Sequence, residues 1–100
     1  MSDLRLLNIR DLGPRRTWPG DVVRIDRRSR WGNRWRLNPK SETSRRVAIG
    51  HYRRWLTADT DYTRSLLEPL RGKRLACWCA PLPCHGDVIL EWLDSHPVAP

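Results

Sequence analysis

CWCAPLPCHGD, residues 77–87, is the stretch around which the chain is organised, because it holds all three cysteines and one of the three histidines. Residues 73–79, which overlap its start, predict a short buried strand. After it, an amphipathic helix is predicted by a stripe spaced i, i+3, i+4, i+7 and i+8: His85, Val88, Ile89, Trp92 and Leu93. We therefore expect this Cys/His turn, residues 77–87, between a strand and a helix of an α/β sheet, where functional groups commonly lie.

The rest of the chain adds two strands and two helices. Strands are predicted at residues 4–9 and 22–25, where apolar side chains cluster between turn residues. The capping residues Ser41 to Ser44 open a helix of about fifteen residues, and the region Asp59 to Asp61 caps the next helix. This order of elements predicts an α/β fold: a small single-domain sheet of about three or more strands with about three helices packed on it.

Length and charge indicate one domain and a polyanionic partner. A chain of 100 residues predicts a single domain over residues 1–100, with a core at 4–94 and a tail at 95–100. The formal charge is +8, and arginine supplies all but two of the 19 basic residues. This balance favours nucleic acid, a nucleotide or an acidic protein surface as partner. A solvated arginine-rich surface explains the same charge, so charge alone does not decide.

The cysteines also bear on the cellular compartment. They are odd in number, and they are too few and too clustered for the disulfide framework of a secreted protein. The N terminus lacks the apolar region of a signal peptide, and no apolar run approaches the length of a membrane span. We expect a cytoplasmic protein with reduced thiols and no membrane partner.

Zinc binding is the first interpretation of the Cys/His turn. A closed tetrahedral site would use four ligands: Cys77, Cys79, Cys84 and His85. Cys77 and Cys79 share one face of the predicted strand, with Trp78 packed on the opposite side. Such positions lie about 6.6 Å apart, which is farther than two thiolates on one zinc ion. The chain must therefore curl at Cys79 if both cysteines are ligands.

Two other interpretations of the turn stay open. In the catalytic one, Cys84 lies at the start of the last helix, where the dipole is expected to lower its pKa and make it a nucleophile. His85 or His51 would act as the base, and Asp87 lies in the same turn, so the candidate catalytic residues are Cys84, His85 and Asp87. In the third interpretation the cysteines only pack the core, and His85 continues the apolar stripe of the helix.

Residues 29–36, SRWGNRWR, form a second candidate site that we call the Arg/Trp loop. It has neither helical nor strand periodicity, and its candidate ligand-binding residues are Arg30, Trp31, Gly32, Asn33, Arg34 and Arg36. The Gly-Asn pair allows a tight turn whose amides face an anion, the arginines add donors, and a tryptophan could stack on a base. The alternative is that the tryptophans cover the sheet edge while the arginines are solvated.

Four motifs occur in the order of a known family. They are WGN at residues 31–33, YRRWL at 52–56, LRGK at 70–73 and the Cys/His turn. With them the chain resembles, over roughly residues 20–94, an uncharacterised bacterial and bacteriophage family called domain of unknown function 4326. Members usually continue Trp-Gly-Asn with Pro-Phe, whereas this chain has Arg34-Trp35. The resemblance implies that the Trp-Gly-Asn loop and the Cys/His turn belong to one shared site, and it implies no activity.

These observations predict a small basic cytoplasmic α/β protein that binds a nucleotide or nucleic acid and holds zinc in its Cys/His site. The first alternative is a thiol- or metal-dependent enzyme that performs transfer or hydrolysis on a nucleotide-like substrate, with Cys84 as nucleophile. The second alternative is a phage-type effector that acts in the host cytoplasm, where its basic surface binds an acidic host protein.

Overall fold

The fold is built on a three-stranded sheet, which a computed structural model describes within residues 4–35, 41–80 and 82–97. The strands are β1 (Leu6–Asn8), β2 (Val22–Arg24) and β3 (Arg74–Cys77), all parallel and in the order β1-β3-β2. The helices are α1 (Glu42–Thr57), α2 (Thr60–Leu67) and α3 (His85–Ser95). The predicted α/β class, with three strands and three helices, is confirmed for these ranges.

The first and last strands are shorter than the sequence predicts. The first was expected at residues 4–9, but it ends at Asn8, because the Asn8 side chain accepts a hydrogen bond from the Arg10 amide at 2.9 Å and opens a 3-10 turn. The last was expected at residues 73–79 and ends at Cys77. The neighbouring strands β1 and β2 each pair with β3 through only three residues. Among the described residues, no strand pairing therefore constrains the chain after Cys77, and the chain turns there.

The helix starts agree with the capping residues in the sequence. Ser41 caps α1, where its hydroxyl accepts a hydrogen bond from the Ser44 amide at 3.1 Å. Asp59 caps α2 in the same way through the Tyr62 amide at 3.0 Å. Each side chain satisfies an amide that the helix itself leaves unpaired. Within the described ranges, none of the helices is long and apolar enough to cross a membrane.

The central strand β3 divides the core between the two faces of the sheet. Leu75 and Cys77 belong to the larger cluster, which α1, α2 and α3 complete with Tyr52, Leu56, Leu66, Leu67, Val88 and Ile89. Ala76 belongs to a smaller cluster on the other face, with Ile9 and Val22. This alternation follows from the two-residue period of a strand. Because β3 lies between β1 and β2, its carboxyl end opens at the middle of the sheet edge, a common location of binding sites in parallel sheets.

Candidate metal centre and the adjoining cavity

The three cysteines converge at the carboxyl end of β3. The sulfur atoms of Cys77, Cys79 and Cys84 all lie within 4.8 Å of one another, and those of Cys77 and Cys84 are 3.3 Å apart. Thiolates of one tetrahedral zinc site lie about 3.8 Å apart, so small movements would make these three sulfurs ligands of one ion. The group could hold a metal ion, and the curl that this requires begins immediately after Cys77.

Two regular elements position the buried pair of thiols. Cys77 is the last residue of β3 and Cys84 is the N-cap of α3. The Cys84 sulfur accepts a hydrogen bond from the Gly86 amide at 3.3 Å, and the Asp87 carboxylate accepts one from the Cys84 amide at 2.9 Å. This reciprocal capping box fixes the start of α3. Asp87, a predicted catalytic residue, is therefore engaged in helix capping and its side chain is exposed.

Gly86 lets α3 begin close against the sheet. A Cβ atom at this position would lie 2.5 Å from Cδ2 of Leu6 and 3.0 Å from Cδ1 of Ile25. The close approach favours a residue without a side chain here, because any larger residue would have to displace these two side-chain ends. Glycine at position 86 therefore lets the Cys/His turn bring Cys84 back to the end of β3 without displacing the ends of the Leu6 and Ile25 side chains.

His85 is buried but does not join the thiol group. Its Nε2 atom lies 2.6 Å from the carbonyl oxygen of Ile25, and its ring packs edge-on against Tyr52. A carbonyl oxygen only accepts, so Nε2 carries the proton, and the group of potential metal ligands at this site contains the three sulfurs without His85. Of the four predicted zinc ligands, the structure brings together the three cysteines, whereas the His85 side chain is directed toward Ile25 and Tyr52.

Arg45 is the main residue of this site that the sequence reasoning missed. It lies on α1, its side chain is buried, and its Nη1 atom donates to the Pro83 carbonyl oxygen at 3.1 Å. The guanidinium also lies beside Cys79. Arg45 falls three residues before Ala48 and seven before Tyr52, on the buried stripe of α1. An arginine on an apolar stripe was the available signal, because a buried guanidinium needs anionic or carbonyl partners.

The thiols differ in their acidity because they are packed together. Hydrogen bonds from Cys77 and Cys84 lower the pKa of the Cys79 thiol, and the Arg45 guanidinium lowers it further. The hydrogen bond with Cys79 raises the pKa of Cys77. Contacts with Cys77 and then Cys79, together with burial, raise the pKa of Cys84. The pKa of Cys84 therefore departs from the expectation that the helix start lowers it, because the neighbouring sulfurs and burial raise it by more than the hydrogen bond from the Gly86 amide lowers it.

A cavity of about 570 Å³ adjoins the thiols. Its walls come from the loop after β2, the Arg/Trp loop, α1 and the Cys/His turn. The lining residues are Asp26, Arg27, Arg28, Asn33, Trp35, Ile49, Cys77, Trp78, Cys79, Cys84 and His85. The Arg/Trp loop and the Cys/His turn thus both contribute to one cavity.

Trp78 is half exposed and lines this cavity, although the sequence predicted it on the side opposite the cysteines. The strand ends at Cys77, so the alternation of a strand no longer governs residue 78. The indole Nε1 donates to the Asp26 carboxylate at 3.0 Å. Asp26 in turn accepts two hydrogen bonds from Arg24, at 2.8 and 2.7 Å. Arg24 and Trp78 lower the pKa of Asp26, so the carboxylate stays ionised.

Residues 31–33 of the Arg/Trp loop make contacts that stabilise the fold. Trp31 donates through Nε1 to the Leu66 carbonyl oxygen at 2.8 Å, and its own carbonyl accepts from the Tyr52 hydroxyl at 2.9 Å. Gly32 lies so close to the preceding chain that a Cβ atom would be 2.6 Å from the Asp26 carbonyl oxygen. Asn33 is buried, with its amide bonded to the Ala48 carbonyl oxygen and the Trp35 amide. These contacts favour the structural alternative for residues 31–33.

The arginines of the loop lie on aromatic faces. Arg30 packs over Trp31 at 4.8 Å from the ring centre, and Arg34 packs over Trp55 at 4.6 Å. Arg36 lies outside the described residues. Of the six predicted ligand-binding residues, Asn33 lines the cavity, whereas Arg30, Trp31, Gly32 and Arg34 are not among its lining residues. The candidate base His51 stacks on Trp35 and does not line the cavity either.

Comparison with known proteins finds a matching family and a phage protein similar to this chain. A family model described as "Domain of unknown function (DUF4326)" matches residues 11–95. The chain is 41% identical over 70 residues to the "Uncharacterized 12.4 kDa protein in nrdA-td intergenic region" of Enterobacteria phage T4. This match covers 67% of the chain and 62% of the phage protein's own length. No solved structure matches the chain significantly. The resemblance inferred from the sequence motifs is confirmed.

Proposed function

The chain belongs to the DUF4326 family, and we propose that it holds zinc through Cys77, Cys79 and Cys84 and binds a nucleotide or nucleic acid in the adjoining cavity. One observation carries the proposal: three sulfur atoms within 4.8 Å of one another lie at the wall of a cavity that also presents arginine and tryptophan side chains. Thiolate sulfurs are preferred zinc ligands, and arginines interleaved with aromatic side chains are typical of nucleic-acid sites.

The charge around the thiols fits a zinc ion. Three thiolates and one divalent cation carry a net charge of −1, and the buried Arg45 beside Cys79 offsets it. A bound metal ion would also keep all three thiols deprotonated. Without a metal, the contacts among the thiols raise the pKa of Cys77 and Cys84 and so favour their protonated forms. Because reduced thiols are required, we place the protein in the cytoplasm, or in the host cytoplasm where a phage encodes it.

A metal-dependent enzyme is the second candidate function. Three protein ligands with a remaining coordination position toward a cavity is the arrangement of catalytic zinc sites, whereas structural sites are closed by four protein ligands. The three described cysteines all line the cavity and would supply such a set of three protein ligands. In such a site the bound metal would supply Lewis-acid activation of a substrate atom or of water. The nucleophilic role predicted for Cys84 has less support, because this thiol is buried and its pKa is raised.

Native mass spectrometry tests the zinc proposal. Protein purified under reducing conditions should carry one zinc ion per chain, lost on chelation together with thermal stability. Cys79→Ser should abolish or strongly weaken the zinc adduct. Leu82→Ser is the matched control, because Leu82 is exposed in the same turn and supplies no thiol. Fully reduced wild-type protein that takes up no zinc from a zinc-containing buffer would refute the proposal.

A salt titration tests the polyanion part. Binding of a single-stranded oligonucleotide to the zinc-loaded protein should weaken with salt, with a log–log slope of about 0.7 per phosphate contact. Such a slope reports the release of the cations condensed on the oligonucleotide when the protein contacts its phosphates. Absence of binding to both mononucleotides and oligonucleotides at low salt would refute this part and leave the zinc site untouched.

A further inference from the structure

We propose that the cavity binds a single nucleotide, whose base stacks on Trp78 and whose phosphate is bound by Arg27 and Arg28. This inference rests on the proposed function and narrows its ligand. The volume of about 570 Å³ falls within the range of about 300–1,000 Å³ of small-molecule sites. A nucleotide of a longer strand could enter by the same contacts, but the cavity has room for one unit.

Trp78 has the properties of a stacking platform. Its side chain is 51% exposed, whereas tryptophan is highly buried on average. Its one polar atom is occupied by Asp26, which Arg24 holds by two hydrogen bonds. The ring is thereby fixed in orientation while part of its surface stays accessible at the cavity. Stacking on such a preordered ring needs little further loss of side-chain entropy.

Two arginines supply the positive charge. Arg27 and Arg28 are exposed and line the cavity. Among the described residues, the Arg28 guanidinium has no hydrogen-bond or ion-pair partner, and Arg27 donates only to the Trp35 carbonyl oxygen at 3.3 Å. Both guanidiniums are thus available for the bidentate contacts that phosphate favours.

Three other polar side chains that line the cavity already form hydrogen bonds within the protein. Asn33 bonds to the Ala48 carbonyl oxygen and the Trp35 amide, and His85 bonds to the Ile25 carbonyl oxygen. Asp26 is occupied by Arg24, Trp78 and the Arg28 amide. Besides the two arginines, the Trp35 indole is the one nitrogen-bearing side chain of the described lining whose polar atom has no hydrogen-bond partner, so at most one further donor is left to contact a base edge. The site should therefore select for a planar base with a phosphate and discriminate weakly among bases.

Calorimetric titration of the zinc-loaded protein tests the inference. The probes are the four ribonucleoside 5′-monophosphates, the four nucleosides and inorganic phosphate. All four monophosphates should bind with affinities within about tenfold of one another, since a single indole donor at most can contact the base edges. Nucleosides and inorganic phosphate alone should bind more weakly, because each offers only one of the two contacts.

Three variants and two matched controls localise the contacts. Trp78→Leu should weaken monophosphate binding about tenfold or more, and Trp78→Phe should retain most of it. Arg28→Gln should weaken the monophosphates but not the nucleosides. Tyr62→Leu and Arg46→Gln, exposed residues that do not line the cavity, should change neither. Thermal melting confirms that each variant is folded.

The outcomes separate this inference from the proposed function. Oligonucleotide binding that is unchanged in Trp78→Leu, with no monophosphate binding, overturns the single-nucleotide site while the proposed function stands. Selection of one base by far more than tenfold overturns the mode of recognition. A protein that takes up zinc but binds neither probe class overturns both this inference and the polyanion part of the function.

Discussion

The sulfur atom of Cys77 lies 3.3 Å from that of Cys84, so the last residue of the central strand touches the first capping residue of α3. This contact closes the Cys/His turn and leaves Cys79 as its half-buried member. A metal bound here would link β3 to α3 and to the intervening turn. The site is therefore part of the fold as well as a candidate centre of chemistry.

The three thiols should differ in reactivity when the protein is metal-free and reduced. Cys79 is half buried and its pKa is lowered, so it should be alkylated first, and its rate should change little as the pH rises from neutral to alkaline. Cys77 and Cys84 are buried with raised pKa values and should react slowly. Peptide mapping after limited iodoacetamide treatment measures the order. Preferential alkylation of Cys84 would contradict this and revive its assignment as nucleophile.

Arg45→Met should destabilise the metal-free protein and weaken zinc binding. The substitution leaves the Pro83 carbonyl oxygen without its donor, which is expected to reduce the free energy of unfolding by about 1–2 kcal/mol. It also removes the cation that offsets the thiolates, so the alkylation of Cys79 should require higher pH. Arg46→Met, the exposed neighbour on α1, should change stability by less than about 0.5 kcal/mol. Urea denaturation compares them, and equal effects of the two substitutions would argue against a specific role of Arg45.

Gly32→Ala should be strongly destabilising, because the new Cβ would lie 2.6 Å from the Asp26 carbonyl oxygen and 2.7 Å from Cα of Arg27. Both are main-chain atoms that cannot rotate away, so a loss of about 1–3 kcal/mol is expected. Gly50→Ala is the matched control. Nothing lies within 4 Å of a Cβ at position 50 in the interior of α1, and alanine should stabilise this helix by about 0.5–1 kcal/mol. Denaturation midpoints that shift in the same direction would contradict the close approach at Gly32.

Asp26→Asn should reduce the free energy of unfolding near neutral pH and make that free energy less dependent on pH in the acidic range. Arg24, and then Trp78, lower the pKa of Asp26 below its ordinary value of 3.8. The ionised group therefore contributes stability above that ordinary value, and this contribution is lost as the pH falls through the lowered folded-state pKa. The variant should be less stable by about 1–3 kcal/mol near neutral pH, and the difference should narrow as the pH falls to about 3.

Asp21→Asn is the control for that experiment. Asp21 also forms a pair of hydrogen bonds with an arginine, Arg74, but this ion pair is exposed. Solvent screens such pairs, so the loss near neutral pH should be much smaller than at Asp26. Urea unfolding of the metal-free proteins at a series of pH values measures both. A difference between wild type and Asp26→Asn that stays constant down to about pH 3 would show that ionisation of Asp26 does not matter.

The sequence alone was sufficient for the α/β class, the helix starts and the location of the thiols. The helix starts depend on contacts within one turn, as when the Ser41 hydroxyl bonds to the Ser44 amide. The apolar stripe of α3 repeats at helical spacing, and every one of its five predicted residues is buried. The thiols of the Cys/His turn converge because a strand, a short turn and a helix cap lie within eight residues.

Tertiary structure decided which partner each of these side chains meets. Trp78 meets Asp26, His85 meets the Ile25 carbonyl oxygen and Trp31 meets the Leu66 carbonyl oxygen, partners 52, 60 and 35 residues away. Periodicity and capping describe only the neighbours that a residue has along the chain. The contacts of Arg45 with the Pro83 carbonyl oxygen and Cys79 depend instead on how α1 packs against α3. Local patterns therefore located the candidate site, and long-range packing determined its acidity, its cavity wall and the residues available to a ligand.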